Sequence, residues 1–275
     1  MYELDLPNWD SFEPELEKLR ENLTTNAPNK RCPALLFRGQ SDAEWQMKTT
    51  LERAGCERMS FIAYYERAVA RVKSAIETFT GVNWKAEDYS VALEQSFLTD
   101  RELFWTRGFP SVELYRYLVY LRHHGFPSPL LDWTASPNVA AFFAFRDPGG
   151  GQKRSIYVYC ERPNSIKGGA VGEPAIRAIG KYVRSHPRHF RQQSDYTICA
   201  AFDESNAGWY FHQHGPVFGN RRADFLWKFN LPSSERIPVL RRLDGYNLNA
   251  FSLFDTEETL LETMWFREHT LRITE

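Results

Sequence analysis

The chain has 275 residues, 43% of them hydrophobic and 25% charged, with a formal net charge of −1. That length and balance fit one elaborated globular domain, and 20 Phe, 13 Tyr and 8 Trp supply a core large enough to exclude wholesale disorder. The near-neutral charge excludes a protein built mainly to coat nucleic acid, which carries a large positive excess, while leaving room for a local basic patch.

Residues 1–12 contain no basic stretch followed by an apolar run, so no signal peptide is expected. No window of about 18 apolar residues is present, so no membrane span is expected either. Cys32, Cys56, Cys160 and Cys199 are widely spaced, without a CxxC or Cys/His pairing. They read as thiols in a reducing, cytoplasmic compartment rather than as zinc ligands, with a disulfide in an exported protein as the alternative.

Trp9, Phe12, Leu16, Leu19 and Leu23 recur at helical spacing and predict an amphipathic helix over 9–25, entered near Asp10 or Ser11. The apolar run 34–37 predicts a buried strand ending in Arg38-Gly39-Gln40. Residues 57–79 and 112–122 are helical by period. A turn with two prolines and a glycine follows at 123–129. Leu130-Leu131-Asp132-Trp133 then leads into an apolar helix over 139–145, with Ser136 as its N-cap and Pro137 in its first turn. Residues 148–152 predict a flexible loop, 155–160 a strand, 174–185 a helix, and 196–202 and 225–231 two more strands. The expected last elements are a helix over 233–243, capped by Ser233 or Ser234, and one over 256–266, opened by Thr256 with Thr259 three residues on. Strands and helices mix without regular βα alternation, so the fold class expected is α+β rather than a doubly wound sheet.

Four places could carry chemistry. Arg38 offers a planar donor fork suited to phosphate or carboxylate, or else an ion pair with a buried acid. His123 and His124 are either acid–base groups or the polar end of a helix. Between Asp132 and Pro137 an acid and two hydroxyls precede a helix start, which can hold an anion or simply be capped. Arg177, Lys181, Arg184, Arg188 and Arg191 form a basic stretch, read as a nucleic-acid contact or as a solvated face. Gln192, Gln193 and Ser194 stand at a strand entry, where they face solvent or orient a ribose. GxGxxG, GxxxxGK, HExxH and GxSxG are all absent, which removes the commonest dehydrogenase, NTPase, zinc-protease and hydrolase readings.

Phe37-Arg38-Gly39-Gln40, followed by Trp45 and Leu51, resembles the motif for which the FRG domain is named. The run 123–127, continued by 130–137 and 140–145, resembles that family's longest signature. Residues 188–197 and 250–254 resemble its later segments. Ser194 and Pro129 depart from it, standing where many relatives have glycine and arginine. The resemblance implies a single FRG-type domain over 1–275, with an N-terminal helical extension at 1–30, a core at 34–254 and a C-terminal helix at 255–275.

The motif order is in turn similar to that of ADP-ribosyltransferases, which implies a split mixed/antiparallel sheet core with flanking helices and NAD as substrate. Carried over by position, Arg38, Thr134 and Gln192 become catalytic, with Gln192 where a glutamate orients the ribose. Arg38, Gly39, Gln40, His124, Trp133 and Ser136 would bind the dinucleotide. A neutral amide cannot stabilise an oxocarbenium-like centre as a carboxylate does, so Asp132, Glu257 or Glu258 is expected to supply the charge.

The function implied is transfer of ADP-ribose to a macromolecule, RNA or DNA favoured by the basic stretch. The implied setting is a toxin or phage-defence effector, with an antitoxin-like protein as a partner. A non-catalytic nucleotide or nucleic-acid binding module, and a metal-dependent nuclease, are the alternatives.

Overall fold

The computed structural model describes residues 1–86, 90–101, 103–104, 109–161, 172–180, 183, 186–218 and 224–272. Nine strands form one mixed sheet: β1 (Tyr2–Asp5), β2 (Leu36–Gln40), β3 (Met59–Ser60), β4 (Leu131–Thr134), β5 (Lys153–Glu161), β6 (Ala175–Ala178), β7 (Ser194–Asp203), β8 (Gly208–Phe211) and β9 (Asp224–Pro232). The spatial order is β1-β9-β5-β2-β4-β7-β8-β3, with β6 paired to β7. β1 runs parallel to β9 and the other pairs are antiparallel.

The sheet forks at β7. Thr197 pairs with both Leu131 and Ala178, and Ala200 with both Phe211 and Ala175. Since a strand has two edges, β6 occupies one edge while β4 and β8 share the other in succession.

Both faces of the central strands are covered. Phe37, Ile156, Val158, Phe229 and Leu231 pack on one face, against the helices α1 (Phe12–Asn26) and α4 (Pro137–Phe145). Leu36, Tyr157, Tyr159 and Leu226 alternate to the other face, with Trp133 and Phe218. A third apolar cluster joins β7 and β8 to the helix α3 (Val112–His123) and the Phe61–Tyr65 helix. The short helix α2 (Thr50–Arg53) is closed by a Thr49–Glu52 capping box.

Several expectations hold in detail. Ser136 caps α4, its Oγ accepting from the Val139 amide at 3.3 Å, with Pro137 in the first turn. Thr256 and Thr259 form a capping box at the head of the Glu257–Trp265 helix.

Others are corrected. The strand read from the run 34–37 does end in Arg38-Gly39-Gln40, but it begins only at Leu36. Of the helix expected over 174–185, residues Ala175–Ala178 form β6 instead. The helical spacing there came from charges, whereas Ile176 is fully buried and the backbone is paired along β7. The helix expected over 57–79 begins as β3 and then divides into Phe61–Tyr65, a π-helical stretch Glu66–Arg71 and Lys73–Thr80. Neither Ser233 nor Ser234 caps the next helix. The chain enters it through a tight turn, with the Ser233 amide bonded to the Gln152 carbonyl at 2.8 Å.

Gly39 explains how α4 can lie on the sheet. A Cβ at this position would stand 1.9 Å from the Ala140 carbonyl oxygen and 2.6 Å from the Ala144 amide. Only hydrogen lets the helix backbone approach β2 this closely. Ala140, Ala141 and Ala144, all buried, thin the facing side of the helix.

Candidate functional site

β2 and β4 meet at one pair, Phe37 with Thr134. Beyond it the strands diverge, and the opening is the wall of a cleft of about 350 Å³. Arg38, Gln40, Arg53, Arg122, Asp132 and Gln192 line it, with Trp45, His123, Thr134, Tyr196 and Phe254. This volume falls within the range of small-ligand pockets, roughly 300–1,000 Å³.

Arg38 bridges the divergence. Its Nη1 donates to the Asp132 carbonyl at 2.8 Å, taking the place of a ladder hydrogen bond. Its Nε is buried and has no protein partner. Burial pushes its pKa down to about 10, offset in part by Asp132, so the group stays protonated at neutral pH. Two more guanidinium groups face the same space: Arg53, from the end of α2, and Arg122, from the last turn of α3. Arg122 forms an ion pair with the Asp132 carboxylate, and its Nε is also buried without a partner. Three cations therefore meet one carboxylate among the described lining residues, and this excess of positive charge favours an anion. Gln40 Oε1 is a further buried polar atom without a partner. Orphaned buried polar groups are costly, and all three belong to residues that line the cleft.

His123 lines the cleft; its neighbour His124 does not. His124 is exposed at the end of α3, its ring 4.4 Å from that of Tyr120. His123 Nε2 lies 3.1 Å from the Tyr196 hydroxyl. Burial holds the imidazole's pKa down to about 4, so it is neutral at pH 7. Burial likewise raises the Tyr196 hydroxyl far above its usual range.

The hydroxyl-rich segment plays two parts. Thr134 Oγ1 donates to the Gln192 carbonyl at 2.6 Å and accepts from the Ser136 amide at 3.1 Å, so it clamps the β4–α4 turn to the start of β7. Ser136 is committed to its cap and does not line the cleft. Trp133 is 3% exposed, stacks on Tyr159 and donates to Thr197 Oγ1 at 2.9 Å, so it belongs to the core and reaches the cleft only at its margin. Gln192 Nε2 donates to the Leu253 carbonyl at 3.2 Å, which ties the cleft to the helix α6 (Ala250–Phe254). Glu257 and Glu258 are exposed and outside the cleft, leaving Asp132 as the carboxylate within reach.

The basic stretch does not form one face. Arg177, on β6, donates inward to the Phe104 and Phe109 carbonyls at 2.5 and 3.2 Å. Arg188 and Arg191 lie on α5 (Pro187–Arg191). Arg188 sits over the Phe254 ring at 5.3 Å, and Arg191 pairs with Asp255 at 2.7 Å. Lys181 and Arg184 lie outside the described residues. Among the described residues, no group of three His, Cys, Asp or Glu gathers where a metal ion could sit, and no helix is long and apolar enough to cross a membrane.

Arg53 and Arg122 escaped the sequence reading. Arg122 stood in plain view as a cation in the last turn of a helix, where it is ordinarily explained by the helix dipole. Nothing local marked its partnership with Asp132, ten residues on.

The FRG domain family matches residues 33–152 of the chain. No curated protein and no solved structure matches it. The matched stretch contains all three cleft arginines, His123, Asp132 and Thr134; Gln192, Tyr196 and Phe254 come from beyond it.

Proposed function

With residues 33–152 forming an FRG domain, we propose that the cleft binds a nucleotide through its phosphates, and that its reaction is transfer of ADP-ribose from NAD to a macromolecule. One observation carries the nucleotide reading: Arg38, Arg53 and Arg122 converge on an open cleft against the single carboxylate of Asp132. Guanidinium forks match phosphate oxygens bidentately, and partly buried ones are screened less by solvent than surface charges.

Each residue then has a role in that chemistry. Arg38 and Arg53 hold the pyrophosphate. Arg122 exchanges its ion pair with Asp132 for a phosphate oxygen, which frees the carboxylate. The bond between the ribose C1′ and the nicotinamide nitrogen breaks, and its electron pair leaves with nicotinamide. Asp132 stabilises the positive charge developing at C1′. The acceptor's nucleophile bonds to C1′, and its proton passes to the neutral imidazole of His123. Thr134 and Gln192 are positioning residues that hold the cleft's walls in register through the Gln192 and Leu253 carbonyls. Arg188 and the 85%-exposed Phe190 lie beside Phe254 and Gln192 of the wall, and suit an RNA or DNA acceptor.

The test is release of nicotinamide from NAD in the presence of cellular RNA, DNA or protein. Label from the ADP-ribose moiety should appear on one of the three. Absence of release with all three removes the transferase reading. A binding module without turnover is the second reading, favoured by the neutral side chain of Gln192 and the Arg122–Asp132 ion pair. It expects nucleotide affinity to survive and no nicotinamide to be released.

A further inference from the structure

A second cleft, of about 460 Å³, opens on the same face of the sheet. Trp45 lines both clefts and is 50% exposed. The loop that carries it is pinned at its base, with the Ala43 amide on the Lys153 carbonyl at 3.0 Å and the Glu44 amide on Asp42 Oδ1 at 2.9 Å.

The register shows how the clefts are connected. Arg38 stands opposite Tyr157, and Tyr157 opposite Lys228. Directly opposed residues share a sheet face, so the three form one row across β2, β5 and β9. Arg38 ends this row in the first cleft, while Tyr157 and Lys228 line the second. At a strand spacing of about 4.8 Å, the row spans roughly 10 Å from Arg38 to Lys228. Met47, Phe218 and Leu226 give the second cleft an apolar floor; Gln213, Lys228 and the acids Glu44 and Glu52 give it polar points, with Lys228 Nζ paired to Glu3 at 2.8 Å. Gln40 marks the junction: it lines the first cleft, and its Nε2 reaches the carbonyl of Gln46, which lines the second.

We propose that the second cleft is the subsite for a nucleobase, so that the ligand is a dinucleotide laid across Trp45, with its diphosphate at Arg38 and its second base over the apolar floor. The inference rests on the nucleotide reading of the first cleft. An apolar slot with a few polar points and an aromatic edge suits a planar ring with a polar rim, and the row of Arg38, Tyr157 and Lys228 runs from the diphosphate to that ring.

Gly215 allows a clean test. It lines the second cleft only, and a Cβ built on it meets nothing within 4 Å. Gly215→Trp therefore sets an indole at the edge of the slot, away from the first cleft and without a clash at its Cβ, and an unchanged melting temperature checks the fold. Binding is measured by calorimetry with a carbocyclic, non-hydrolysable NAD analogue and with nicotinamide mononucleotide. The wild type should bind the dinucleotide at least tenfold more tightly. Gly215→Trp should bring the two affinities together, leaving the mononucleotide unchanged within twofold. Equal affinities in the wild type, or a dinucleotide advantage that survives Gly215→Trp, overturns the subsite and leaves the first cleft's reading standing. Binding of neither ligand overturns both.

Discussion

Replacing Arg38 by alanine removes one of the three cations that line the cleft, together with its hydrogen bond to the Asp132 carbonyl. The fold should lose little. A bond from a charged donor contributes about 1.5–3 kcal/mol, but the cost of burying the guanidinium, seen in its pKa lowered to about 10, offsets much of this. The carbonyl it leaves can be rehydrated from the open cleft. Ligand affinity should lose more, because the guanidinium is one of the three cations that line the cleft. A charge-assisted contact of about 1.5–3 kcal/mol corresponds to weakening of roughly 10- to 150-fold. Binding should persist at that lower level, since Arg53 and Arg122 remain. Arg38→Lys keeps the charge but not the fork, and should recover only part of the loss. Calorimetric titration with ADP-ribose at low and moderate salt measures this, with melting temperature as the control. A folded Arg38→Ala protein that binds ADP-ribose as the wild type does would refute the assignment of Arg38 as the phosphate grip.

Gly39→Ala should destabilise the fold by about 3 kcal/mol, the upper end of the overpacking range, because both atoms it meets are backbone; at this chain size that lowers the melting temperature by roughly 6–12 °C. Asp132→Asn should abolish nicotinamide release while leaving nucleotide binding at least as tight, since it removes the negative charge opposing the phosphates; loss of binding with release would instead make Asp132 a binding group. The pKa of His123 falls on folding from 6.5 to about 4 through burial. The unfolded chain therefore binds its proton first, and stability should decline as pH falls from about 6.5 to 4, by up to about 3 kcal/mol from this group. Denaturant midpoints across that range should be flatter for His123→Gln than for the wild type, and parallel curves would count against the burial of His123 as a pH determinant.

Local chemistry was legible wherever it acts between near neighbours. Ser136 followed by Pro137, and Thr256 with Thr259, announced their helices because a cap needs only a side chain within three residues. The strands at β5, β7 and β9 showed through their β-branched and aromatic content. Arg38, Asp132 and Gln192 were singled out as residues, and they do meet at one cleft. Their partners were not legible. Arg122 and Arg53 reach the cleft from helix ends whose placement depends on a sheet that forks at β7. Gln192 is fixed by Leu253, 61 residues away. The 174–185 region misled because its helical spacing belonged to charged residues, which report no burial, while pairing to β7 decided its backbone.

Sequence alone was therefore enough to establish the α+β class, the caps and the chemistry-bearing residue types, since these follow from propensities and spacings along the chain. Tertiary structure alone decided that β2 and β4 part after a single pair, that three arginines face one aspartate in the opening, and that Trp45 stands between two clefts. Those relations join residues far apart in the chain, and only strand register and helix packing bring them within a few ångströms.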